Sequence, residues 1–503
     1  MFYKKIDMKK IFTLALITFV AIVARATDYN EPIVVTVNGE TSEQSGVISV
    51  VENGDMYDLT MKNFMLASED GPMGVGNVTM TGIVPINLGD VSILQISQVV
   101  TITPGDDPSV PFWMADFLPP VPVNMIGKIE NGHLRCYIYI DMMESIEQII
   151  NVTIGKGYQL PNQSFENWHQ SSGTYVEPNG WHSFESATGS LASMAGHHIQ
   201  TSEDAHSGSL SAQVYSTSIF GVVANGTMTT GRLNAGSMTA SDVSNHAYAD
   251  VSNTDVDGNG DPFYTPMYSC PDSLVLWVKF KQGKANANYP YATVSAVITD
   301  GSYYQDPEDK TYTNVVAKAK NNKIVQTDGE WVRLSMPFEY TDNDVEPAAI
   351  LITASTNATP GKGSGGDQLT VDDIELIYNA KLTSLKVNGE SVPNFDSDTY
   401  DYEIEVEEEV TSENLEVVAD GKTALVRTLI EDKENGQEIT VTVYSGDMSQ
   451  SNIYTVKANR ATAITDVTNH TKPFGAIYNL NGQRVLTPQR GFYIADGVKF
   501  YVK

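Results

Sequence analysis

Trp277 and Trp331 sit in two strand-like runs that repeat one arrangement. In Leu274-Val275-Leu276-Trp277-Val278-Lys279-Phe280-Lys281 the even positions make the better core face, which leaves Trp277 with Lys279 and Lys281 on the other. In Trp331-Val332-Arg333-Leu334-Ser335-Met336-Pro337-Phe338, Trp331 shares a face with Arg333 and Ser335, opposite Val332, Leu334, Met336 and Phe338. An indole among cations and hydroxyls on an accessible sheet face suits sugars, whose C–H faces stack on the ring while their hydroxyls bond the polar side chains. Trp277, Lys279, Trp331 and Arg333 are therefore the candidate ligand-binding residues. The alternative is that loops or a neighbouring domain cover this face. Trp168 and Trp181 read as packing residues.

Catalytic chemistry is harder to find. With 62 Asp+Glu, some carboxylate pair at glycosidase spacing is guaranteed, so acid abundance carries no information. There is no Gly-x-Ser-x-Gly elbow, no His-Glu-x-x-His pair and no phosphate-binding glycine loop. The 8 His are dispersed, and the adjacent His197 and His198 would face opposite sides of a strand. Asp255-Val256-Asp257-Gly258-Asn259-Gly260-Asp261 fits the start of a calcium loop, but its twelfth position is Pro266 rather than Glu. It reads as an acidic turn more than as a calcium loop. No catalytic residue is nominated, and a glycosidase without a compact motif stays open.

The elements that must position these residues are almost all strands. Short runs of Val, Ile, Thr and Tyr alternate with period two between Gly, Asn, Asp and Pro turns, the pattern of sandwiches and barrels. The 503 residues predict several domains. A net charge of −31 argues against nucleic acid and against anionic membrane surfaces. The 2 Cys cannot build a disulfide framework or a cysteine zinc site. Lys4, Lys5, Lys9 and Lys10, the apolar run from Ile11 to Ala24, and Ala24-Arg25-Ala26 predict an export signal over residues 1–26. In His133 to Asp141, Leu134, Cys136, Ile138 and Ile140 share the core face. Phe112, Trp113 and Phe117, in a proline-rich stretch, are expected to plug the end of that core.

Several segments resemble known families. Residues 27–156, with Tyr57 to Phe64 and the glycine-punctuated Gly71 to Pro85, resemble the calycin-like β-barrel of Bacteroidetes exported proteins. Residues 157–379 carry Phe165-Glu166-Asn167-Trp168, Pro178-Asn179-Gly180-Trp181, Asp204-Ala205-His206-Ser207-Gly208, Thr230-Gly231 and Leu369 to Leu376. In that order they resemble the carbohydrate-metabolism domain of Bacteroidetes surface proteins and, more distantly, jelly-roll carbohydrate-binding modules. That likeness implies a structural calcium held by Glu166, the backbone from Asp204 to Gly208, and Asp372 or Asp373, although strand alternation predicts that these last two face apart. Residues 380–460 resemble cadherin-like or immunoglobulin-like spacers, and 461–503 a C-terminal sorting-type tail.

These expectations describe an exported, surface-associated, all-β modular protein, with the cell surface, the medium or the periplasm as its compartment. Its central jelly roll is expected to bind a glycan, with a carboxylate-pair glycosidase and a ligand-free adhesive protein as the alternatives. Nucleic acid is not an expected partner, and association with the outer membrane or cell surface is.

Overall fold

The computed structural model describes residues 26–38, 40–66, 73–219, 221–460, 476–495 and 498–502. The export segment therefore lies outside the described residues up to position 25. The fold is all-β, and among the described residues no helix is long and apolar enough to cross a membrane. The chain divides into two compact units, the first comprising residues up to 380 with 421–425 and 444–451.

The first unit opens with a nine-stranded antiparallel sheet. In sheet order its strands are Met73–Ile83, Met56–Leu66, Glu40–Asn53, Ala26–Val37, Gln148–Ile154, His133–Met142, Val121–Glu130, Val91–Val100 and Ile86–Leu88. The sheet curls until Met73–Ile83 meets the chain beyond Val100, through the bridges Asn77↔Thr103 and Gly74↔Trp113. Leu134, Cys136, Ile138 and Ile140 are buried in the core of this sheet, as their alternation predicts. Burial pushes the Cys136 thiol up to about 12, so it is inert at neutral pH. Arg135, on the opposite face, is buried as well: its guanidinium donates to the Gly155 carbonyl at 2.9 Å and lies over the Tyr158 ring. The proline-rich stretch departs from expectation. Ala115 enters the core and Trp113 packs on Gly74 and Gly105, but Phe112 and Phe117 pair with each other at the surface.

A two-sheet sandwich follows. One sheet orders Ile199–Ser202, Ser211–Tyr215, Gln368–Ile377, Ser273–Lys281 and Val332–Pro337. The other orders Thr227–Thr229, Ala349–Ser355, Ala292–Thr299, Val315–Ile324 and Glu339–Tyr340, with Thr265–Pro266 paired to Ala349–Ser355. Leu274, Leu276, Val278 and Phe280, each at most 1% exposed, share the core with Val294, Ala296, Ile298, Ile350, Ile352 and Ala354. The even-position face of the sequence is thus the inner face. A small third sheet of Arg232–Ala235, Asn245–Ala249 and Tyr304–Asp306 packs on the outside of the second, where Leu233, Ala247 and Tyr304 bury Val297 and Leu351. The sandwich and the curled sheet meet at Gly157, where a Cβ would come within 2.4 Å of the Tyr268 ring, and Tyr268 stacks on His133. Cys136 and Cys270 are both free thiols.

The second unit holds a three-stranded sheet (Glu390–Ser391, Leu382–Val387, Leu415–Ala419) and a four-stranded one (Asp401–Val406, Ser451–Arg460, Gly436–Tyr444, Leu425–Lys433). The pair Asp401–Val406 and Ser451–Arg460 runs parallel. A further four-stranded sheet is built from Arg484–Val485, Ile477–Asn479, Gly491–Ala495 and Val498–Val502.

Candidate functional site

The outer face of the second sandwich sheet changes character halfway along. Ala292–Thr299 and Ala349–Ser355 pair so that Thr293 faces Ser355, Ser295 faces Thr353 and Val297 faces Leu351. The Val297–Leu351 rung lies under the small sheet, while the two hydroxyl rungs floor a half-enclosed cavity of about 320 Å³. That volume is at the small end of the range for small-molecule sites. Lys320, the neighbour of Ser295 on the next strand, edges the floor. The walls are mainly aliphatic: Leu191, Met194, Ile219, Val222, Val223 and Met238. On the floor, Thr227 Oγ1 donates to Ser355 Oγ at 3.1 Å and Ser295 Oγ to Asp306 Oδ2 at 2.7 Å. Thr293 lines the floor, and its Oγ1 is buried with no hydrogen-bond partner, an unspent donor and acceptor beside the cavity.

The residues nominated from sequence gather elsewhere, at the turn beside the outer face of the first sheet. Trp277 pairs with Arg333 on one side and with Asp372 on the other. The face of the Trp277 indole is covered by the His206 imidazole, stacked at 3.8 Å between centroids. The Lys279 ammonium lies 4.9 Å from the Trp331 ring and is held by Asp204 at 2.7 Å. Both tryptophans are half-buried, and Arg333 is exposed. Trp277 and Trp331 do lie beside polar side chains, but their rings are partly occupied by the chain itself, and Val332, expected on the core face opposite Trp331, is exposed.

The acids of this cluster hold the 204–210 turn. Glu166 Oε1 accepts from the Ser209 and Leu210 N–H groups at 2.8 and 3.0 Å, and the direction a Cβ would take from Gly208 ends on that carboxylate. Asp372 Oδ2 accepts from the His206 N–H at 2.7 Å, while Asp373 binds the His206 ring and the Ser207 hydroxyl. Asp372 and Asp373 thus reach the same turn, against the alternation rule. The reason is a bulge: Val275 pairs with Glu375 but Trp277 pairs with Asp372, and Asp373 takes φ 43°. Burial, with Asp373 adding to it, pushes the Asp372 carboxyl up to about 6. Among the described residues, the metal-ligating atoms that converge are those of His169, Asp257 and Asp261, not of these acids. Calcium at this turn stays a proposal.

The groove residues were missed because Thr and Ser in a strand carry no motif. One signal was available: Thr293, Ser295 and Val297 on one strand and Ser355, Thr353 and Leu351 on its partner pass from hydroxyl to aliphatic along one face, the mark of a face covered over half its length. His197 and His198 do separate, His198 buried between the Tyr215 and Ala195 carbonyls and His197 beside Glu185.

No family model matches the chain, and no curated protein matches it. Among solved structures it is similar to a provisionally assigned glycoside hydrolase of Bacteroides thetaiotaomicron (14% identity, 52% of this chain and 87% of that one, TM-score 0.33). It is also similar to a carbohydrate-binding module of the β-sandwich superfamily (11%, 70% and 100%, TM-score 0.20). A third is the catalytic domain with CBM51 domains of ZmpB from Clostridium perfringens (11%, 92% and 44%, TM-score 0.13). Likeness at this level leaves the function to the geometry.

Proposed function

We propose that the chain is a glycan-binding accessory protein whose ligand sits in the groove on the outer face of the second sandwich sheet. The observation that carries this is the pair of hydroxyl rungs, with the unpartnered Thr293 Oγ1, beneath aliphatic walls. A pyranose presents both halves of that match: hydroxyls for the floor and C–H faces for the walls. Binding is favoured over hydrolysis because, among the described residues, Asp306 is the one carboxylate lining the groove, and it already accepts from Ser295. Two carboxyl groups are needed for either stereochemical outcome of glycoside hydrolysis.

The test is a glycan array and affinity gels with the full chain, with calcium and with chelator, while released reducing ends are monitored. Thr293→Val is expected to weaken binding by about three- to tenfold, the size of one lost hydrogen bond. Trp277→Ala is expected to leave binding unchanged. The opposite ranking moves the site to the tryptophan face, and sugar release overturns the binding reading. Export, surface association, the calycin-like barrel and the sorting-type tail belong to the same proposal. Cell fractionation with protease accessibility tests the first two.

A further inference from the structure

Away from the groove, two histidines and a loop of acids meet beneath the surface of the sandwich. His169 lies on the Trp168–Ser172 strand, His182 just beyond its partner Tyr175–Pro178, and Asp257 and Asp261 in the turn 255–261. That turn is built around one carboxylate oxygen. Asp257 Oδ1 accepts from the Asn259 and Asp261 N–H groups at 2.9 and 2.8 Å. Its other oxygen, Oδ2, points away from the turn, 3.3 Å from His169 Nε2 and 3.4 Å from His182 Nε2.

These three atoms are deeply buried, the side chains of His169, His182 and Asp257 being 8%, 0% and 0% exposed. None of the three has a hydrogen-bond partner, despite their closeness. The lack of partners follows from what each atom is. His169 Nδ1 lies 3.2 Å from the side-chain oxygen of Asn179, which can only accept, so the ring proton belongs on Nδ1 and Nε2 presents a lone pair. In that tautomer an imidazole lone pair faces a carboxylate oxygen across 3.3 Å. Two acceptors in a dry site repel unless a cation lies between them. Asp261 adds an oxygen within 4.8 Å of the His169 and Asp257 ligand atoms, and its Oδ2 is oriented by the Gly180 N–H at 2.8 Å.

We infer that a first-row divalent transition metal, with zinc as the ion that fits best, is held where the ligand atoms of His169, Asp257 and Asp261 converge, with His182, whose Nε2 lies 3.4 Å from Asp257 Oδ2, closing in as the fourth ligand when the ion binds. Metal–ligand bonds of about 2.0–2.1 Å in a tetrahedron place neighbouring ligand atoms about 3.3–3.4 Å apart. That is the spacing of Asp257 Oδ2 from the two imidazoles. Two imidazole nitrogens with carboxylates suit zinc and its neighbours, whereas calcium takes six or more oxygens. Asn179 would fix the His169 tautomer from behind, as outer-sphere acceptors do at zinc sites. Glu177 is buried nearby, where its Oε1 accepts from the Ser183 and Ser186 hydroxyls and its Oε2 is likewise without a partner. The ion would pin the hairpin of residues 168–178 to the turn 255–261. The site is distinct from the groove, and so is its test.

The test uses the full chain, stripped with chelator and titrated with Zn²⁺, Co²⁺ and Ca²⁺ separately. The expected result is one Zn²⁺ per chain held against a chromophoric chelator, a raised melting temperature with Zn²⁺ but not Ca²⁺, and the visible absorption of tetrahedral Co²⁺. His169→Ala and His182→Ala are each expected to lower zinc affinity by more than about a hundredfold, and Asn179→Ala by about ten- to a hundredfold. The wild-type cobalt spectrum keeps the test decisive if a histidine variant fails to fold. No zinc beyond that held by the His169→Ala/His182→Ala double variant overturns the inference. A melting shift with calcium alone overturns it as well.

Discussion

At the scale of single residues, Asp373 does two things that pull against each other. Its backbone sits at φ 43°, a conformation that costs a residue with a Cβ, while its carboxylate holds His206 and Ser207. Asp373→Val keeps the strain, adds β-branching and loses both contacts, so it is expected to destabilise by about 1–3 kcal/mol in urea unfolding. Asp373→Gly relieves the backbone and isolates the loss of the side chain. Asp372, next to it, makes stability depend on pH. Its folded carboxyl keeps a proton up to about 6 against an ordinary 3.8, so the folded state binds more protons in that window and stability falls as pH rises through it. Asp372→Asn, which still accepts from the His206 N–H, is expected to flatten that slope in urea midpoints measured from about pH 4 to pH 7.

At the scale of elements, period-two alternation was enough to find the inner faces of Ser273–Lys281 and His133–Met142, because apolar side chains on one side of a strand dictate burial directly. What covers an outer face is not written in the strand itself. Arg135, on the face of its strand opposite the core, is buried all the same, and Trp277 is stacked by a histidine from a turn far away in sequence. The bulge at Asp373 has no local composition signal, since a positive φ there falls on Asp rather than Gly. The four residues proposed for zinc were visible only as an acidic turn and scattered histidines, because topology brings them together. The groove wall contributed by the hairpin Thr217–Ile219 and Val222–Ala224 gives a prediction at this scale. Val223 is half-buried there, so Val223→Asp is expected to reduce glycan binding at least about tenfold while shifting the melting temperature by no more than a few degrees.

At the scale of the whole molecule, 62 acidic against 31 basic residues surround any bound ligand with negative potential. Neutral glycans are expected to bind better than uronate-rich or sulfated ones, and added salt is expected to narrow that gap, as affinity gels run from low to physiological ionic strength would show. The division of one sheet face into a hydroxyl half and an aliphatic half has a consequence for how such a protein changes over time. Val297 and Leu351 anchor the small sheet, whereas Thr293, Ser295, Thr353 and Ser355 carry none of the core. Substitutions on the hydroxyl half spare both hydrophobic clusters, so under the proposed function the scaffold would trade one sugar for another by drift at four positions.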